Sequence, residues 1–191
     1  LLLDYRTDLA EFFRSHVDDA QRSLDVALEP EAEHYLVVLL VRIAATADEP
    51  TLDRPLVLQW KDALDEPNGA RRFLRFRGMG DSALLVGGLF PESHDARGVT
   101  DGYVRGMGRH AYAEAARTAP AEMRRARVFE SLSDSFDESV RVLLEFRERA
   151  RVDVDDVARL MAAVLRHGSP EAARRLAAMG LVARPSDEME N

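Results

Sequence analysis

The sequence predicts an all-α fold: an irregular bundle of seven to nine helices forming a single domain over residues 1–185. Three observations carry that expectation. Apolar residues recur at three- and four-residue spacing through most of the chain, as a helix face buried in a core requires. No segment shows the clean alternation of a half-buried strand. Pro, Gly, Ser and Asp fall between the periodic stretches, where helices start and stop. With 191 residues, 46% of them hydrophobic and 31% charged, the chain is large enough to bury one sizeable core.

Leu2, Tyr5, Leu9, Phe12, Phe13 and Val17 define a first amphipathic helix, from about Leu3 to Gln21. The second starts at Pro30, whose missing N–H does no harm in a first turn, and Glu31 and Glu33 complement the helix dipole there. Its run from Tyr35 to Val41 is apolar nearly all round, so it belongs in the core. The same run is Val-rich and fits a buried strand. Helix is preferred because the pattern continues to about Ala47 without Gly or Pro. A loop at Asp48 to Pro50 leads to a third helix, from Asp53-Arg54-Pro55 through Trp60 to about Asp65, closed by Pro67-Asn68-Gly69. A fourth covers Ala70 to Arg77, and Gly78-Met79-Gly80 is expected to break or bend it. Asp81 would then cap a fifth, from Ser82 to Phe90. After a loop over Pro91 to Gly98, Thr100 or Asp101 caps a helix that runs to about Arg117. Met123, Phe129, Leu132, Phe136, Val140 and Leu143 predict one long helix from about Ala121 to Glu148, weakest near Ser131 to Ser135. Asp153 starts a helix ending at Gly168, and Ser169-Pro170 starts a last one ending at Gly180. Residues 186–191 are polar and expected to be disordered.

Composition narrows the function. The formal net charge is −8, which argues against a general polyanion binder. There is no Cys, so disulfides, thiolate chemistry and Cys-ligated zinc are excluded for this chain. No apolar run is long enough to span a bilayer, no signal peptide is visible, and a cytoplasmic setting is the expectation. All the basic residues but Lys61 are Arg, which binds carboxylate and phosphate through a planar fork; GC-rich coding gives the same bias without a function. Charge is uneven: residues 1–34 hold three Arg against nine acids, and residues 71–128 hold eleven Arg against six. The acidic end and the basic middle are expected to face each other within one molecule or across a homo-oligomer.

The stretch from Arg71 to Tyr112 concentrates Gly, Arg and aromatic residues. It contains Gly80-Asp81-Ser82-Ala83-Leu84-Leu85, then Gly88-Leu89-Phe90-Pro91-Glu92, then Tyr103, Met107-Gly108-Arg109 and Ala111-Tyr112. In that order these residues resemble a family of uncharacterised bacterial all-helical proteins with a GD…L…G…FPE…Y…MGR.AY segment. The run from Tyr35 to Leu40 and the Arg174 to Leu181 segment share the likeness. The resemblance implies that Asp81, Met107, Gly108, Arg109 and Tyr112 form one unit, and it implies no activity.

Two readings of the stretch stay open. In one, Val104, Gly108, Ala111 and Ala115 form a stripe for close helix packing, and Asp81 caps a helix or pairs with Arg109. In the other, Arg75, Arg105 and Arg109 line a pocket with Asp81, Tyr103 and Tyr112 and bind a small anionic ligand, as in an enzyme or sensor. No metal site or cofactor is expected. Glu31 and His34 have Glu-x-x-His spacing but no second copy, and His110 with Glu114 lacks the rest of a zinc motif. No nucleophile elbow, Walker loop or dinucleotide fingerprint occurs. The last two helices, about Val157 to Arg166 and Glu171 to Met179 with Arg174 and Arg175, have a helix–turn–helix outline. A DNA-binding regulator is therefore one alternative, against which the acidic composition weighs. The leading expectation is a non-enzymatic cytoplasmic protein that acts through protein or ligand binding.

Overall fold

The computed structural model describes residues 2–46, 54–91, 99–125, 127–150, 160, 163–164 and 169–178. They form an all-α irregular bundle, and no strand occurs among them. In chain order the helices are α1 (Leu2–Leu24), α2 (Pro30–Thr46), α3 (Leu56–Leu64), α4 (Gly69–Gly88), α5 (Asp101–Thr118), α6 (Ala121–Arg125), α7 (Val128–Asp134), α8 (Phe136–Ala150) and α9 (Pro170–Ala178). The Val-rich run at 35–41 is helix, the preferred of its two readings. No helix among the described residues is long and apolar enough to cross a membrane.

Two expected boundaries fail. The Gly78-Met79-Gly80 segment does not break the chain: α4 runs through it for 20 residues, so Asp81 lies mid-helix and caps nothing. Asn68 caps α4 instead, accepting from the Arg71 N–H at 3.0 Å. Each interior Gly costs a helix about 1 kcal/mol. Burial offsets that cost, because from Met79 to Gly88 every residue but Ser82 is buried. The second failure is the single helix expected from 121 to 148, which is three helices. Arg127 adopts a left-handed φ of 52° between α6 and α7, and Ser135 turns the chain between α7 and α8. The Ser135 hydroxyl donates to the Ser131 carbonyl at 2.7 Å, so the weak segment is where the helix ends. The tail at 186–191, the loops at 48–50 and 92–98, and the helix expected from Asp153 to Gly168, apart from residues 160 and 163–164, lie outside the described residues.

The core is aromatic. Phe13, Phe76, Tyr112, Phe129, Phe136 and Phe146 are its largest fully buried side chains. The most extensive helix contact is between α4 and α5. The small-residue stripe expected on α5 makes it: Val104, Gly108, Ala111 and Ala115 are all buried. Gly108 sits against Ala83 and Phe136, and Gly80 sits under the Tyr112 ring. A Cβ on Gly80 would lie 2.5 Å from two Tyr112 ring carbons, so glycine here is a condition of the helix pair. The pair brings Tyr112 of α5 beside Asp81 of α4.

Candidate functional site

Asp81 is the only Asp or Glu among the described residues that is buried, at 4% exposure. A buried carboxylate needs compensating donors, and this one has them from three helices. Tyr35 of α2 donates its hydroxyl to Oδ1 at 2.7 Å, and Tyr112 of α5 donates to the same oxygen at 2.9 Å. Arg42 of α2 donates Nη2 to Oδ2 at 2.7 Å. Arg77, one turn before Asp81 on α4, has its Nε 3.6 Å from Oδ2 and donates from that Nε to the Tyr35 hydroxyl at 3.0 Å. Its guanidinium carbon lies 6.0 Å from the Tyr35 ring centroid, at the outer reach of a cation–π contact.

Local sequence explains the placement. Tyr35 and Arg42 are seven residues apart on α2, two turns along one face, and Arg77 and Asp81 are four apart on α4. An aromatic box surrounds the hydroxyl ends. Tyr35 stands edge-on to Tyr112 and to Phe129, at 6.2 and 5.4 Å, and Phe136 lies 5.9 Å from Tyr112. Burial, reinforced by the Asp81 charge, pushes both phenols well above their ordinary range. Both are hydrogen-bond donors across physiological pH. The cluster is graded in depth: Tyr112 is fully buried, while the side chains of Arg77 and Arg42 are 26% and 42% exposed.

The expected site residues do not converge. Asp81 and Tyr112 meet, but Arg109 is not with them. Arg109 is exposed and pairs with Asp137 of α8, so the expected Asp81–Arg109 ion pair does not form. Arg105 lies 2.7 Å from Asp101 and 3.9 Å from Asp137. The reason is helical phase. Residues 109 and 112 point about 60° apart on α5, enough for Tyr112 to enter the core while Arg109 reaches solvent. Tyr103 is exposed in the first turn of α5. Arg75 pairs with Glu66 at 3.2 Å and lines a surface groove of about 410 Å³ between α3 and α4.

Sequence reading missed Tyr35, Arg42 and Arg77 as members of one cluster. The available signal was the pair Tyr35 and Arg42 flanking the apolar run 36–41, and the i, i+4 pair of Arg77 and Asp81. Among the described residues no group of three or more His, Asp or Glu is placed to hold a metal ion. Most of the first helix of the helix–turn–helix outline lies outside the described residues. In the second, Arg175 lies 3.4 Å from Glu171 and Arg174 bonds the Pro170 carbonyl. Compared with protein-family models, curated proteins and solved structures, the chain matches none.

Proposed function

We propose that this protein acts by binding, and that Arg42 and Arg77 take the anionic group of a small ligand, a phosphate or a carboxylate. The supporting observation is that two guanidinium groups share one carboxylate, Asp81, and both reach solvent. Among the described residues, one positive charge is left over at the mouth of the cluster. Each guanidinium has five N–H donors, and among the described residues Asp81 and Tyr35 engage only a few of them. The free donors sit on side chains whose positions are fixed from below, which lowers the entropic cost of gripping an oxyanion. Tyr35 and Tyr112 orient Asp81, and through it the arginines. In this reading the protein belongs to the cytoplasm of a bacterium and works as a homo-oligomer, in line with the family resemblance and the uneven charge.

The test is thermal unfolding in millimolar inorganic phosphate, or in acetate, against sodium chloride at equal ionic strength. A ligand that binds only the folded state raises the melting temperature with concentration. The reading expects phosphate or acetate to raise the melting temperature of the parent and not that of Arg42→Gln. Equal melting of the parent in all three salts would count against it.

A further inference from the structure

The mouth of the Asp81 cluster has an apolar side. Tyr35 and Arg42 form one row on α2, and the turn between them carries Val38 and Leu39. With about 100° between successive residues, these two project about 50° to either side of the row. Leu39 is 2% exposed and faces the core, whereas Val38 is 48% exposed. The row therefore marks the line where α2 passes from core to solvent, with Val38 on the solvent side. Among the described residues of α2, Val38 is the only exposed large apolar side chain. Glu31 and His34, exposed on the same helix, are polar.

The two arginines bracket that turn. Arg77 arrives at the Tyr35 end, donating to the Tyr35 hydroxyl, and Arg42 stands at the other end, bonded to Asp81 Oδ2. Asp81 and Tyr112, both buried, close the floor between them. An oxyanion gripped by both guanidiniums has charge on two sides and the core beneath it, so its substituent leaves toward solvent. Along α2 that path runs past Val38, whose Cβ lies one turn, about 5–6 Å, from that of Arg42. A single exposed valine is ordinary on a protein surface. This one differs in its place: it is the apolar contact beside the charges, and ligand sites pair a few polar anchors with apolar surface in this way.

We infer that the ligand is an organic oxyanion, a phosphate monoester or a carboxylate with a short apolar substituent, and that Val38 selects that substituent. The inference rests on the oxyanion reading of Arg42 and Arg77. Titration calorimetry at matched ionic strength tests it with two pairs of anions, inorganic phosphate against butyl phosphate and acetate against pentanoate. In the parent, the longer member of at least one pair is expected to bind about tenfold tighter, and that pair identifies the oxyanion. The size follows from burial: a fully buried methylene strengthens binding roughly fourfold, and a chain lying on a surface buries part of each. Val38→Asn should abolish the gain and leave the affinity for inorganic phosphate or acetate unchanged. Val38→Leu, which keeps the contact apolar, should retain it. Val38 is half exposed, so both variants are expected to fold, and their melting temperatures check this. No saturable binding of phosphate or acetate to the parent would overturn the oxyanion reading and this inference with it. Saturable binding with no gain for either longer anion, a gain that survives Val38→Asn, or a gain that Val38→Leu also abolishes would overturn the role of Val38 alone.

Discussion

Tyr35 and Tyr112, from helices far apart in sequence, donate their hydroxyls to the same oxygen of Asp81, at 2.7 and 2.9 Å. That shared acceptor ties α2 and α5 to α4 and leaves the second carboxylate oxygen to the arginines. Asp81→Asn keeps an acceptor for the phenols but turns an amide toward Arg42 and leaves both guanidiniums without a counter-charge. We expect a loss of about 3 kcal/mol, the lower end of the range for breaking a buried pair, since both arginines reach water. Arg109→Met removes only an exposed pair with Asp137 and should cost under about 1 kcal/mol. Urea unfolding of the two variants distinguishes them; equal losses would show that Asp81 does not hold the cluster.

Gly78 and Gly80 are expected to respond in opposite directions to alanine. Gly78 is exposed and an added Cβ meets nothing, so Gly78→Ala should stabilise α4 by about 1 kcal/mol through helix propensity. At Gly80 the new Cβ lies 2.5 Å from the Tyr112 ring, and Gly80→Ala should destabilise by about 1–3 kcal/mol through overpacking. Melting temperatures of the two variants check the sign of each change.

The raised phenols predict an alkaline limit. An unfolded tyrosine loses its proton near pH 10. Tyr35 and Tyr112 keep theirs to higher pH in the folded state, chiefly because they are buried and further because Asp81 repels a phenolate. Above about pH 10 the unfolded chain therefore binds fewer protons than the folded one, and stability falls as pH rises further; below that value the contribution is fully present. Unfolding free energies between pH 9 and 11.5 should show the fall. Tyr35→Phe should flatten it, and an unchanged slope in that variant would contradict the assignment.

The helical class was legible because periodicity reports a buried face directly, and the stripe Val104, Gly108, Ala111, Ala115 was legible for the same reason. The break at 78–80 was misread because local propensity disfavours glycine in a helix. What overrides it is the Tyr112 ring above Gly80, a contact 32 residues away in sequence. Arg127 was invisible as a boundary, since a left-handed φ is unusual for any residue but Gly and Asn. The site was half legible. Asp81 and Tyr112 stand in one conspicuous segment, whereas Tyr35 and Arg42 stand in a helix that reads as plain core. Arg109 was assigned to Asp81 by proximity in sequence, and helical phase sends it to Asp137 instead.

Binding of an oxyanion by Arg42 and Arg77 is tested most directly by titration calorimetry of inorganic phosphate into the parent and into Arg42→Gln, at matched ionic strength. Asp81 keeps the donors Tyr35 and Tyr112 and its neighbour Arg77 in that variant, while the Arg42 charge is lost. The account predicts a saturable heat with one site per chain in the parent and at least tenfold weaker binding in Arg42→Gln. No saturable heat in the parent, or the same affinity in both proteins, would contradict it.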